Sequence, residues 1–119
     1  MKVKFLTTLD IRDIDDHQWQ LLAPFVVEVE GAVIKVPAGF VTDFASVPRL
    51  PITYALFGNI GHRAAVVHDY LYSTGDFPRE FADDVFKALL EAEGVGTFRS
   101  TIMHSGVRMF GAQYYNEKD

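Results

Sequence analysis

Polar and apolar positions follow two different periods along this chain. Residues 2–8, 18–30 and 32–36 are rich in Val, Phe, Leu, Ile and Trp and alternate in "KVKFL", "VVEVE" and "AVIKV", the pattern of half-buried antiparallel strands. "EVEGAVIKV" predicts a hairpin turning at Glu30 and Gly31. "VPAGFVTDFASVPRLP" holds three prolines and a glycine, so an ordered loop is expected there, with one short strand at Gly39–Thr42. Beyond it, "NIGHRAAVVHDYLYST", "PREFADDVFKALLEAEG" and "TFRSTIMHSGVRMFGAQYY" all show helical spacing. Pro78 suits a first helical turn, Gly94 a helix stop and Thr97 an N-cap. Strands first and helices second predict an α+β fold: a small N-terminal antiparallel sheet, hairpin or meander, followed by three helices packed on one face. Residues 1–119 are expected to form a single domain, with a strand-rich half at 1–50 and a helical half at 51–119.

Within "AAVVHDYLY" a histidine and an aspartate stand side by side in an apolar helical run. At 100° per residue, His68 shares a face with Gly61, Ala64, Ala65, Leu71 and Tyr72, and small residues one turn earlier leave room above its ring. Asp69 is rotated away, so the two side chains need different partners. The same geometry separates the aspartates of "FADDVFKALL": Asp83 follows the apolar stripe of Phe86 and Leu90, whereas Asp84 shares the solvent face with Glu80, Lys87 and Glu91. An inward carboxylate requires a donor such as an imidazole N–H. The short "STGDFP" connection makes the two helices antiparallel neighbours and brings His68 toward Asp83.

Composition narrows the chemistry. The 119 residues are 49% hydrophobic and 23% charged, ordinary globular material, with a net charge of -5 that argues against nucleic acid as a partner. No cysteine is present, so any metal must be held by oxygen or imidazole. "MKVKFLTTLD" reaches Asp10 before an apolar run long enough for a signal peptide, and no stretch approaches a transmembrane segment; a soluble protein is expected.

His68, Asp69 and Tyr72 in H-D-x-x-Y, followed by Ala82, Asp83 and Phe86 in A-D-x-x-F, resemble the catalytic core of secreted and prokaryotic phospholipases A2 over roughly residues 43–90. The resemblance implies that His68 is a general base activating water, that Asp83 fixes its tautomer, and that Asp69 is a calcium ligand. It also implies upstream calcium ligands, for which Asp43 and the backbone carbonyl of Phe44 in "TDFAS" are the candidates. Such a site is chemically coherent, because calcium takes several oxygen ligands and a bound cation polarises an ester carbonyl; another divalent metal would serve similarly.

A broader resemblance rests on "GFVTDFASVPR", "AAVVHDYLY", "ADDVF" and "GVRMFG", which together look like a family of small phage and prophage proteins defined only as a domain of unknown function. It implies a bacteriophage origin and a role in virion, entry or lysis, in the host cytoplasm or on the virion, with other phage proteins as partners. The expected function is therefore a phage-associated calcium-dependent esterase acting on membrane lipid or a cell-envelope ester. Competing with it are a non-catalytic phage structural, entry or host-interaction protein, whose polar residues form a buried network, and a metal-dependent cell-wall hydrolase. Ser46 lacks the glycine-flanked elbow of a nucleophilic serine. His62 reads as a helix-start residue, about 10 Å along the helix from Asp69. An HD-type phosphohydrolase would need an earlier helical histidine, and His17 lies in strand-like sequence. Asp43 and Arg49 have structural readings as a turn cap and a carboxylate partner. His104 is expected in the core or on the surface, and Phe25, Phe40, Phe44, Phe81, Phe86, Phe98 and Phe110 in the core.

Overall fold

A computed structural model of the chain describes residues 1–15, 18–42 and 61–116, which fall into two compact units divided between Asp43 and Phe44. His17, Asp43, Phe44, Ser46 and Arg49 lie outside the described residues. The chain is α+β, and among the described residues antiparallel strands are followed by three helices.

The strand unit contains β1 (Val3–Phe5), β2 (Ile11–Asp15), β3 (Gln18–Leu21), β4 (Phe25–Val29), β5 (Ala32–Val36) and β6 (Val41–Thr42). They form two antiparallel sheets, β1-β4-β5 and β2-β3-β6, where the pattern had predicted one. The apolar run of residues 18–30 is broken at residues 22–24, so β3 and β4 pair in different sheets. β2, "IRDID", escapes the hydrophobic pattern because every residue after Ile11 is exposed; its order comes from pairing with β3. Alternation does govern β4, where Phe25, Val27 and Val29 are buried opposite Val36, Ile34 and Ala32 of β5. The predicted turn falls at Glu30 and Gly31, both with positive φ (50° and 81°), as a two-residue hairpin of right-handed twist requires.

The helical unit contains α1 (His62–Thr74), α2 (Arg79–Ala92) and α3 (Thr97–Phe110), with a short 3-10 turn at Gly111–Tyr114. α1 follows Gly61 and has no side-chain cap of its own. Glu93, just beyond α2, fills that role: its Oε1 accepts the Ala64 N–H at 3.1 Å. α2 follows Pro78 and ends with the Gly94 N–H on the Glu91 carbonyl and the Val95 N–H on the Leu90 carbonyl, an end made possible by φ of +95° at Gly94. Gly96, in extended backbone, holds the cap position expected for Thr97, and Thr97 is the first helical residue. α3 stops at Phe110, earlier than its spacing predicts, where Gly111 comes against Tyr72 and Arg79. α2 packs against both α1 and α3 through Val85, Phe86, Leu89 and Leu90, all fully buried. Phe98 and Phe110, expected in the core, are exposed.

Candidate functional site

Asp83 has no exposed surface and collects donors from α1, α2 and α3. His68 and Tyr72 are four residues apart on α1, so their side chains lie on one face of it. The His68 Nε2 is 2.7 Å from Asp83 Oδ1, and the Tyr72 hydroxyl donates to the same oxygen at 2.6 Å. From the last turn of α3, Arg108 Nη1 donates to Oδ2 at 2.7 Å. Arg79, one turn before Asp83 on α2, brings a second guanidinium to 3.7 Å of Oδ2. Arg79 also donates to the carbonyls of Val107 and Arg108, both at 3.0 Å, and to the Tyr72 hydroxyl at 3.4 Å. It therefore satisfies carbonyls at the C-terminal end of α3 while reaching the buried carboxylate. The imidazole lies between aromatic rings, with centroids 4.1 Å from Tyr72 and 4.7 Å from Phe86.

Burial pushes the Asp83 carboxyl upward, but the hydrogen bonds from His68, Tyr72 and Arg108 outweigh it and hold Asp83 below the usual carboxylate range. Burial dominates at His68 and lowers its pKa, despite the opposing pull of Asp83. Burial raises the Tyr72 phenol, with Asp83 adding to the effect. The resulting state is an ionised Asp83 beside a neutral His68 and a protonated Tyr72. Since ionised carboxylate only accepts, Nε2 carries the imidazole proton and Nδ1 the lone pair.

Asp69 lies half-buried on α1. It is the one described member of the oxygen set that the sequence nominates for calcium, since Asp43 and Phe44 lie outside the described residues. Its carboxylate suits a hard cation. Among the described residues, no three His, Asp or Glu side chains gather as a metal cluster. Asp84 is half-exposed and its Oδ1 lies 2.9 Å from His104 Nε2, a second histidine–aspartate pair on the outside of the bundle. His62 opens α1, with its pKa lowered by burial.

Sequence reasoning gave no role to Arg79 or Arg108, and placed Tyr72 on the His68 face and in the H-D-x-x-Y motif without a contact to Asp83. Helical spacing could have found two of them: Tyr72 is four residues after His68, and Arg79 four before Asp83. No local signal marks Arg108, because its contact depends on where α3 packs.

Fold and site together define an α+β chain whose helical unit is organised round a buried histidine–carboxylate pair neutralised by arginines. The sequence matches the family described as "Protein of unknown function (DUF1353)" over residues 19–107, and the chain belongs to that family. No match was found among curated proteins or among solved structures.

Proposed function

We propose that the helical unit carries a hydrolytic site of phospholipase A2 type, with His68 as the general base and Asp83 as the group that orients it. The observation that carries this reading is the 2.7 Å contact between His68 Nε2 and an Asp83 held in its ionised form. That contact leaves Nδ1 as the basic nitrogen, the arrangement a water-activating histidine needs. Nδ1 takes a proton from water as the water oxygen adds to the ester carbonyl carbon. The tetrahedral adduct then expels the alkoxide, which recovers the proton from Nδ1, leaving an acid and an alcohol. The substrate class is a membrane-lipid or cell-envelope ester, in a protein of phage or prophage origin; the origin rests on the sequence blocks alone. Calcium, or another divalent ion, on Asp69, Asp43 and the Phe44 carbonyl would supply the charge that polarises the carbonyl.

The test is hydrolysis of phospholipid and short-chain carboxylic esters by the wild type and by His68→Gln, with and without calcium, alongside melting curves. Loss of hydrolysis in a variant that still melts cooperatively supports the reading; no hydrolysis by the wild type on either ester class contradicts it. The metal component has its own check. Calcium should raise the wild-type melting temperature but not that of Asp69→Asn, since an ion that binds the native state stabilises it.

A second reading is favoured by burial. His68 and Asp83 are both fully buried, so an ester reaches Nδ1 only if the chain around it opens. On this reading Asp83 is a structural clamp joining three helices, and His68→Gln unfolds the protein rather than leaving it folded and inactive.

A further inference from the structure

His68 and Asp83 have no exposed surface, so an ester reaches them only where the cover over the site gives way. Part of that cover is residues 111–116, which follow α3 and fold over the C-terminal end of α1. Gly111 lies against the Tyr72 hydroxyl and Arg79, and the Tyr115 ring meets the Tyr72 ring edge-on at 5.3 Å. Tyr72 in turn carries the imidazole of His68 4.1 Å from its own ring. Hydrogen bonds fasten the segment: the Asn116 N–H and Asn116 Nδ2 donate to the carbonyls of Tyr72 and Ser73, both at 2.9 Å, and the Tyr115 hydroxyl donates to the Phe77 carbonyl at 2.5 Å. The two side-chain bonds are exposed, so water can replace them at little net cost. Within residues 111–116 only Gly111 is buried, whereas Phe86, Leu89 and Leu90 of α2 and Met103 and Val107 of α3 are fully buried. A segment held with so little apolar burial opens locally far more often than the bundle unfolds.

Beside the segment is a cleft of about 520 Å³, lined by residues 75–79 on one side and by Ala112 and Tyr115 on the other. Arg79 belongs both to that lining and to the groups round Asp83. The cleft is open to the outside, and no described helix is long and apolar enough to cross a membrane. We infer that residues 111–116 are a strap that gates the site, and that the cleft, widened when the strap lifts off Tyr72, is the mouth through which an ester enters. The route of the ester rests on the hydrolytic reading above, whereas the strap rests on these contacts. A strap that lifts reconciles a pair closed to water at rest with a substrate that must come within reach of Nδ1.

The experiment is labelling of histidines by diethyl pyrocarbonate at neutral pH, located by mass spectrometry, on the full chain and on a Tyr115→Phe/Asn116→Ala variant. The reagent acylates an unprotonated imidazole nitrogen, so it reports access to His68 whether or not the protein hydrolyses esters. His104, which is partly exposed, is the internal reference. Wild-type His68 should label far more slowly than His104. In the variant, which loses two exposed hydrogen bonds and keeps the Tyr115 ring, His68 should label about tenfold faster with the melting curve kept, and hydrolysis of a short-chain ester should rise with it. Low urea should leave the variant's labelling rate nearly unchanged, because lifting the strap exposes little surface. Labelling of wild-type His68 as fast as His104, equal His68 rates in the two proteins, or a urea dependence as steep as that of global unfolding overturns the gate. Faster labelling with no hydrolysis by either protein upholds the gate and removes the hydrolytic reading.

Discussion

Asp83 accepts two hydrogen bonds on Oδ1 and faces two guanidiniums at Oδ2, so its removal would strand donors on three helices at once. Asp83→Asn keeps the shape but loses the charge, and its amide nitrogen cannot accept. We expect it to destabilise the fold by about 2–4 kcal/mol in denaturant unfolding, below the largest values for a broken buried pair because Arg79 and Arg108 are both partly hydrated. An unchanged midpoint would contradict the clamp. His68 and Asp83 were legible from residue spacing because a polar group on an apolar helical face advertises its need for a partner. Of the cations, Arg79 stood at helical spacing from Asp83, whereas Arg108 was not legible, because an arginine near a helix end reads equally well as a surface residue.

Two backbone positions show how the elements are set. Gly111 ends α3 where a Cβ would come 2.8 Å from the Tyr72 hydroxyl and 3.3 Å from Arg79 Nη1. Tyr72 is buried and already bonded to Asp83, so it has little room to give way. Gly111→Ala should cost about 1–3 kcal/mol by thermal or denaturant unfolding. Its backbone angles suit alanine, so the cost would come from that clash. At the β4–β5 hairpin the strain is in the backbone: Glu30 holds φ of 50°. Glu30→Asn should stabilise by roughly 0.5–1 kcal/mol, since Asn-Gly is favoured in such a turn. A lower melting temperature would show that the Lys2 N–H contact to Glu30 Oε1, at 3.2 Å, matters more than the turn. Strongly periodic elements were readable, notably β4, β5, α1 and α2. β2 was not, since its charged exposed residues form a strand only by pairing, and neither was the division into two sheets, which depends on long-range partners.

At the scale of the whole molecule, buried ionisable groups give stability a directional pH dependence. His68 is held neutral below its ordinary value of 6.5, so between 6.5 and its lowered folded value the unfolded chain binds more protons. Its contribution is fully present above 6.5 and is lost as pH falls through the folded value. Glu93 acts oppositely: burial raises it above 4.5, its Oε2 has no hydrogen-bond partner among the described residues, and ionising it in the fold removes stability as pH rises through that window. Glu93→Gln should therefore make a urea-midpoint profile fall more steeply on its acidic side, whereas His68→Gln should flatten its fall below 6.5; identical profiles for both variants and wild type would contradict the assignments. The α+β class was legible because the period changes once along the chain, whereas the exposed face of α3 was hidden by the assumption that its phenylalanines belong to the core. The most direct measurement on the central claim is the His68 tautomer, read by long-range nitrogen–proton NMR at neutral pH. A neutral ring with the proton on Nε2 and an unprotonated, pyridine-type Nδ1 is predicted; a proton on Nδ1, in either the other neutral tautomer or the imidazolium, would contradict the account.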